Sequence, residues 1–263
     1  MSQPTLQEIV TLAKTAGQIV HDGFHAMHTV QFKSEVDVVT EMDHRSEDYL
    51  LGEIRSRYPE HSILSEESGA SGGKGENCWL VDPLDGTVNY AHRVPVYSVS
   101  IAYQCKGVLQ MGVVYDPSFD ECFSAEKGKG AWLNGEPIRV SGVSELIKSL
   151  LVTGFPYDRN GSDFNLNMTY FSELTRNSQG VRRLGSAALD VCYVACGRFD
   201  GYWELSIHPW DIAAGALIVQ EAGGIVTDLL GKPDYLVPPY ALVAANPAIH
   251  PQLLEKLQIL KKR

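Results

Sequence analysis

Two aspartates with a proline between them form a potential cation-binding turn in the first half of the chain. Residues 79–81 are apolar and predict the end of a buried strand, and Asp82 and Asp85 follow directly. Pro83 fixes one backbone dihedral and stiffens the turn between the two aspartates. Hard divalent cations prefer carboxylate and carbonyl oxygens, and Leu84 could add its carbonyl. The spacing therefore predicts a site for a divalent cation.

The next two residues favour an anion site beside the cation site. Gly86 permits a tight turn, and Thr87 can open a short helix. The free N–H groups at a helix N-terminus attract phosphate. Asp-Pro and Asp-Gly are also common turn dipeptides, so the alternative interpretation is that both aspartates only cap backbone groups.

Further carboxylates occur at positions where each also has a structural explanation. Thr40 and Asp43 have the spacing of a helix capping pair. Glu66 and Glu67 are adjacent like charges that favour either a solvated loop or a site neutralised by a cation. Asp211 lies at the predicted start of a helix, where an acidic side chain often caps.

Hydrophobic periodicity predicts helices and antiparallel strands in the first half of the chain. Thr5 can cap a helix that reaches residue 24, and a second helix should span about residues 41–57. Turn signals separate the predicted strands, and residues 69–76 predict a flexible Gly- and Ser-rich connection. The strands are 63–64, 97–105, 109–115, 122–125, 131–133 and 138–140.

The second half alternates strands and helices. We expect one domain over residues 1–263, with an α+β half over about 1–145 and an α/β half over 146–263. The predicted strands are 150–153, 180–183, 199–205, 225–227 and 241–245; the predicted helices are 164–176, 187–196, 210–222 and 247–260.

The composition is that of a soluble globular protein, with 44% hydrophobic and 21% charged residues among 263. The net charge of −10 argues against direct nucleic-acid binding, which usually needs a basic face. No apolar segment is long enough to span a membrane, and the N-terminus lacks signal-peptide features, so we expect a cytoplasmic protein without membrane contact. The five scattered cysteines predict buried free thiols.

Two segments resemble the signatures of the inositol monophosphatase superfamily, a set of magnesium-dependent, lithium-sensitive phosphatases. Residues 82–90 read Asp-Pro-Leu-Asp-Gly-Thr-Val-Asn-Tyr, and residues 210–215 read Trp-Asp-Ile-Ala-Ala-Gly. The similarity extends over essentially the whole chain. It implies an α/β (α+β) fold, a layered αβαβα sandwich of the sugar-phosphatase type, and usually a homodimer.

The resemblance also implies roles for individual residues. Two or three Mg²⁺ ions would be held by Glu66, Asp82, the Leu84 carbonyl, Asp85 and Asp211. Asp43, Thr87 and Glu67 would orient and activate the attacking water. The substrate would contact Gly86, Thr87, Ala187, Glu204, Asp211, Arg182 and Lys33. Ser65 stands where the superfamily has the glycine of a Gly-Glu-Glu element. Arg182 could equally form a structural ion pair.

These features predict an inositol-phosphate phosphatase that uses activated water to hydrolyse a phosphate monoester, with myo-inositol 1-phosphate favoured. Fructose 1,6-bisphosphatase, nucleotide bisphosphate, histidinol phosphate and NADP phosphatase activities are the alternatives. An alternative from another class is a binding partner in an RNA-associated complex.

Overall fold

The computed structural model describes residues 3–25, 30–32, 38–73 and 75–261. Within these ranges the helices are α1 (Leu6–Phe24), α2 (Glu41–Arg57), α3 (Thr87–Ala91), α4 (Ser162–Arg176), α5 (Ala187–Ala195), α6 (Pro209–Glu221) and α7 (Ile249–Lys261). The strands are β1 (Val30–Phe32), β2 (Val38–Thr40), β3 (Ser62–Ser65), β4 (Gly69–Gly72), β5 (Asn77–Asp85), β6 (Ser98–Cys105), β7 (Val108–Asp116), β8 (Glu121–Glu126), β9 (Gly130–Leu133), β10 (Glu136–Pro137), β11 (Leu150–Thr153), β12 (Gly180–Arg182), β13 (Gly201–Leu205), β14 (Ile225–Thr227) and β15 (Ala241–Ala245).

Side-chain caps fix where the first two helices begin. Thr5 precedes α1 and forms a reciprocal capping box with Glu8, and Thr40 does the same for α2 with Asp43. Each box satisfies backbone N–H groups that the first turn leaves without partners. The start of both helices and the end of α2 at Arg57 are as the sequence predicts.

Two sheets form the framework. The larger has the strand order β10-β9-β8-β7-β6-β5-β3-β4, and the smaller has the order β12-β11-β13-β15-β14. β3 pairs with β5 in parallel, whereas the other pairs of the larger sheet are antiparallel. In the smaller sheet β11 is parallel to both its neighbours. Neighbouring parallel strands end at the same edge of a sheet, so the segments that follow these strands lie close together.

Alternating side chains of the strands face different helical layers. Trp79 and Val81 of β5 pack with residues of α1 and α2, while Leu80 between them packs with residues of α5 and α6. In the smaller sheet Tyr202 faces α5 and α6, and Trp203 faces α4 and α7. The period of two in a strand produces this division. The five layers confirm the predicted αβαβα sandwich.

Small residues let α6 lie directly against the larger sheet. Gly112 of β7 is so close to α6 that a Cβ at this position would lie 2.8 Å from the Ala214 carbonyl oxygen. The residues from Ile212 to Val219 are all buried. This close packing brings the first turn of α6, which carries Asp211, to the end of β5.

Three local predictions differ from the structure. The segment from Asp82 to Asp85 belongs to β5 and bulges there, where we expected a turn after the strand. Residues 138–140 are not a strand: after the Ile138 N–H donates to Ala131 of β9, the chain leaves that strand, and the Val140 N–H donates to the Ala222 carbonyl instead. Gly69–Gly72 forms β4 against β3, within the predicted flexible connection. The division into two halves at about residue 145 stays a prediction.

None of the helices in the described ranges combines the length and apolar character that crossing a bilayer requires. The five cysteines are free, as predicted, but burial was predicted correctly for Cys122 and Cys192 only, because the other three are half-buried.

We predict that Gly112→Ala lowers the free energy of unfolding by about 1–3 kcal/mol, because the added methyl group overpacks the contact between β7 and α6. Urea unfolding would measure the change. Gly52→Ala is the matched control: Gly52 is exposed within α2, and a methyl group added there would meet no neighbouring atom within 4 Å. There the same change should leave stability unchanged or raise it by up to about 1 kcal/mol. Equal effects at both positions would contradict the packing argument.

Candidate active site

The end of β5 carries two aspartates into a buried cavity. The pairing of β5 with β6 shifts register between Asp82 and Asp85. This bulge accommodates Pro83, which has no N–H to donate to a neighbouring strand. The Oδ1 atom of Asp82 accepts a hydrogen bond from the Leu84 N–H at 3.0 Å, and the Ser46 hydroxyl donates to the Pro83 carbonyl at 2.7 Å. The side chains of Asp82, within the bulge, and of Ser46, in α2, therefore both fix the conformation of the bulge.

Gly86 makes the sharp change of direction between β5 and α3. Its φ is 92°, in the left-handed region that favours glycine. A Cβ here would also lie 2.9 Å from the Val96 carbonyl oxygen. Both the backbone conformation and the lack of space for a Cβ atom therefore require glycine at position 86. Thr87 begins α3, as the sequence predicts.

Asp43 and Thr87 form a buried hydrogen-bonded pair beside this turn. The Thr87 hydroxyl lies 2.9 Å from Asp43 Oδ1 and 3.0 Å from the Leu84 carbonyl oxygen. The other oxygen of Asp43 accepts from the N–H and the hydroxyl of Thr40, at 2.8 and 2.6 Å. Burial raises the pKa of Asp43, although the bonds from Thr40 and Thr87 oppose the rise. The capping residue of α2 thus also holds the hydroxyl of Thr87.

Carboxylates from separate segments line one cavity, which we call the acidic cavity. Asp190 of α5 is one of them. Those that the sequence predicted are Glu66 directly after β3, Asp82 and Asp85 of β5, Glu204 of β13 and Asp211 of α6. Burial raises the pKa of Asp82 well above its ordinary value, and the charges of Glu66, Asp85 and Asp211 raise it further. The predicted convergence of these carboxylates is present in the structure.

Asp211 occupies the third position of α6. Its Oδ2 atom accepts a hydrogen bond from the His208 N–H at 3.0 Å, which is the capping role that the sequence also allows. Burial raises the pKa of Asp211 well above its ordinary value, and Glu66 and Asp85 add to the effect. Capping therefore uses one oxygen of a carboxylate that also faces the other acids.

Asp85 links β5 to the start of α5. Its Oδ2 atom accepts from the Ser186 hydroxyl at 2.5 Å and the Ala188 N–H at 2.8 Å, and its Oδ1 atom accepts from the Ala187 N–H at 3.2 Å. Burial raises the pKa of Asp85 against the opposing effect of these donors. Since Oδ2 already has two close donors, Oδ1 has the freer lone pairs.

The donor set of the acidic cavity fits a hard divalent cation. Carboxylate oxygens dominate it, and buried like charges raise one another's pKa until protons or a cation neutralise them. In the described part of the chain, no group of three or more His, Cys, Asp or Glu side chains is already arranged to hold a metal ion. The chemistry of the donors and their shared cavity, rather than a closed cage, therefore support a cation site.

Glu47 of α2 anchors the turn that carries Glu66. One of its carboxylate oxygens accepts from the Ser65 hydroxyl at 2.5 Å and the Ser68 N–H at 3.1 Å, and the other accepts from the Ser68 hydroxyl at 2.6 Å. Ser65, which replaces the superfamily's glycine, thus gains a specific partner. Glu67 lies outside the cavity wall, but its charge raises the pKa of Asp43, so it is close to that residue.

Glu204 closes the opposite side of the acidic cavity. Its carboxylate accepts a hydrogen bond from the Tyr202 hydroxyl, and burial raises its pKa to about 7, although the nearby Gly154 N–H opposes the rise. A Cβ on Gly154 would overlap this carboxylate, so glycine is needed there to seat it. The charge of Arg183 acts in the other direction and lowers the pKa of Glu204.

The remaining predicted substrate residues have different positions. Gly86, Thr87 and Ala187 line the acidic cavity. Arg182 does not line it: the residue is exposed on β12, and its neighbour Arg183 contributes to the cavity wall instead. Lys33 lies outside the described residues, so its proposed role stays a prediction.

Sequence reasoning missed four residues around the cavity: Glu47, Arg183, Ser186 and Asp190. The first three act through contacts with distant segments. Asp190 had a visible signal, because it is a lone acid among apolar residues in the segment that forms α5.

Comparison with known proteins is consistent with this geometry. Residues 1–262 match the model of the inositol monophosphatase family. The chain is 47% identical to an inositol-1-monophosphatase of Synechocystis sp., over 96% of this chain and 88% of the relative. It is 43% identical to a protein named Nus factor SuhB of Pasteurella multocida, over 97% and 96% of the two chains. The solved structure of an inositol monophosphatase from Anabaena (Nostoc) sp. has a TM-score of 0.88 and 45% identity, and the match covers 97% of this chain and 95% of that one.

Members of this family are generally Mg²⁺-dependent. The match spans nearly the full length of both chains, and the family's two signature segments meet at one cavity here. The chain belongs to the inositol monophosphatase family.

Proposed function

We propose that the protein hydrolyses a phosphate monoester of a small polyol, with myo-inositol 1-phosphate as the favoured substrate. The observation that supports this proposal is the acidic cavity, where Glu66, Asp82, Asp85 and Asp211 converge beside the Thr87 hydroxyl. The full-length family match supports the same reaction class.

Glu66, Asp82 and the Leu84 carbonyl would hold one Mg²⁺, and Asp82, Asp85 and Asp211 would hold another; a third near Glu66 is part of the proposal. When bound, Mg²⁺ supplies positive charge to the phosphate and makes water more acidic. The Oδ1 atom of Asp85 suits this role, because its Oδ2 atom is engaged by Ser186 and Ala188.

Thr87 and Asp43 would orient the attacking water. The Thr87 hydroxyl can donate to Asp43 Oδ1, which leaves lone pairs on its own oxygen to accept from water. Thr40 holds the other oxygen of Asp43, so the pair has a fixed direction. The raised pKa of Asp43 makes it a better proton acceptor than an ordinary aspartate. The water gives one proton to the Thr87–Asp43 pair as its oxygen bonds to phosphorus and the ester P–O bond breaks. The leaving alcohol oxygen takes a proton from a second water, and Asp43 returns its proton to solvent, so the products are the alcohol and inorganic phosphate. Glu67, near Asp43, is proposed to help position the water.

The two ends of the acidic cavity suit the two ends of a polyol phosphate. Backbone N–H groups of Gly86, Thr87 and Ala187 are proposed to contact the phosphate. Glu204, on the other side, can accept hydrogen bonds from substrate hydroxyl groups. The other sugar, nucleotide and histidinol phosphates named above stay as rivals, because they share the same metal chemistry.

A panel of phosphate monoesters assayed with and without Mg²⁺ tests the proposal. We expect Mg²⁺-dependent phosphate release, fastest from myo-inositol 1-phosphate. Rapid turnover of a different ester with none of inositol phosphate would replace the substrate but keep the reaction class. No release from any ester would overturn both.

We predict that Asp85→Asn reduces Mg²⁺-dependent turnover on the order of a hundredfold or more, because it removes a charged oxygen from the cation site. The fold should persist, since asparagine keeps an oxygen that can accept from the α5 amides. Initial rates and circular dichroism would measure the two effects.

Asp200→Asn is the matched control for that variant. Asp200 is also a buried, hydrogen-bonded aspartate, with the Ser141 hydroxyl at 2.5 Å and the Leu150 N–H at 2.6 Å, but it lies outside the acidic cavity. Turnover per folded molecule should be unchanged in this variant. Equal losses in the two variants would argue against a specific role for Asp85.

A second candidate function is that of a binding partner in an RNA-associated complex. Relatives 40–43% identical to this chain are named Nus factor SuhB, so the expectation that no nucleic acid is involved lacks support. Complementation of a null strain with Asp85→Asn separates the two functions. Full activity from the turnover-deficient variant would favour binding, and failure would favour catalysis. Homodimer formation and lithium sensitivity stay predictions.

The raised pKa of Glu204 predicts a pH-dependent stability difference without divalent cations. The folded-state pKa of about 7 lies above the ordinary value of 4.5, so the protonated group favours the folded state at low pH. This contribution is fully present below about pH 4.5 and is lost as pH rises through about 7. Glu204→Gln stays neutral, and it should therefore become more stable than the wild type by up to about 3 kcal/mol above pH 7.

Urea unfolding in EDTA from pH 5 to pH 8 would measure this difference. The exposed Glu136 provides the control, because Glu136→Gln makes the same chemical change at the surface. A difference between wild type and Glu204→Gln that stays constant with pH would contradict the prediction.

A further inference from the structure

Asp190 is a buried carboxylate in the wall of the acidic cavity that the proposed mechanism does not use. It lies in the first turn of α5, where the neighbouring side chains Leu189 and Val191 are apolar and fully buried. Asp190 itself is 1% exposed. A carboxylate in such surroundings costs free energy unless it has partners.

Neither oxygen of Asp190 accepts a hydrogen bond from the described part of the chain. The Leu184 N–H and the Arg183 guanidinium are near enough to favour its ionised form, but neither completes a hydrogen bond. The other nearby charges, on Glu204 and Asp85, oppose ionisation, and burial raises the pKa of Asp190 well above its ordinary value. Native proteins rarely leave such a group without a partner, so the missing partner requires an explanation.

The other acids of the acidic cavity do have partners. Glu204 accepts a hydrogen bond from the Tyr202 hydroxyl, and Asp85 accepts from donors at the start of α5. Asp190 therefore keeps its hydrogen-bonding capacity for a group that enters the cavity.

The position of Asp190 along α5 indicates what that group is. Ala187, whose N–H belongs to the proposed phosphate end, and Asp190 are three residues apart and hence on neighbouring positions of one helix face. Three residues correspond to about 4.5 Å along the axis. This separation is comparable to the width of a small sugar or cyclitol ring, so one small molecule can reach both.

We propose that Asp190 is a specificity-determining residue that forms a hydrogen bond with a hydroxyl group of the substrate's polyol part, next to the hydroxyl bound by Glu204. The inference rests on the proposed phosphatase function and adds a second recognition group to it. Arg183 also lines the cavity, and its positive charge partly compensates the negative charge of Asp190 and Glu204.

Comparison of two esters tests this role. Myo-inositol 1-phosphate carries ring hydroxyl groups, whereas p-nitrophenyl phosphate carries none. Asp190→Asn should lower kcat/KM for the inositol ester about tenfold more than for the aryl ester, mainly through KM, because the hydrogen bond between the carboxyl group and the substrate hydroxyl is lost. Asp190→Ala, which removes both oxygens, should show at least the same difference.

Asp116→Asn is the control for loss of a buried carboxylate. Asp116 also has a buried oxygen without a partner, but it lies in β7 outside the acidic cavity. The ratio of the two kcat/KM values should be unchanged in this variant, whatever happens to its melting temperature.

Equal losses on both esters, or no loss on either, would overturn the proposal and assign Asp190 a structural or water-binding role. A structural role would also lower the melting temperature of Asp190→Asn. We expect that temperature to match or exceed the wild-type value, since the change breaks no hydrogen bond that Asp190 makes within the described chain and keeps the side-chain size. Failure of the proposed function is distinguishable, because the wild type would then hydrolyse neither ester with Mg²⁺.

Discussion

Bringing several carboxylates into one buried cavity costs free energy, and the surrounding fold holds them there against their repulsion. Each acid accepts hydrogen bonds from its own donors. The Leu84 N–H donates to Asp82, the start of α5 donates to Asp85, and the His208 N–H donates to Asp211. These bonds position the carboxylates but leave much of their charge without compensation. In our proposal a divalent cation supplies the missing positive charge, which would explain why acids from distant parts of the sequence line one cavity.

Helix α2 is the element that ties the separate parts of the site together. Asp43, Ser46 and Glu47 lie three and four residues apart on one face of the helix. They hold, respectively, the Thr87 hydroxyl, the Pro83 carbonyl and the turn that carries Glu66. A capping residue and two buried polar residues thus set the relative positions of three functional segments. This helix positions the segments of the site, and none of its side chains is among the proposed cation ligands.

Local patterns and the family signatures predicted much of the fold and of the site. Thr40 and Asp43 form a capping pair that spacing alone reveals, and the layered architecture followed from the resemblance. The spacing of residues along the sequence does not reveal contacts between distant segments, so the role of Glu47 was not predicted. Arg182 and Arg183 show a related difficulty. Adjacent side chains at a strand end point in different directions, and only Arg183 lines the acidic cavity, so an assignment that is wrong by one residue names the wrong arginine. The strand pairing that turns Pro83 into part of a bulge is likewise a long-range effect.

The central claim is that Glu66, Asp82, Asp85 and Asp211 together hold divalent cations. Anomalous diffraction from crystals soaked in Mn²⁺, which accepts the same oxygen ligands as Mg²⁺, tests it most directly. The account predicts anomalous peaks in the acidic cavity, within coordination distance of these four carboxylates, and their loss in crystals of Asp82→Asn. Fully soaked crystals with no peak in the cavity, or with peaks only elsewhere on the protein, would contradict it.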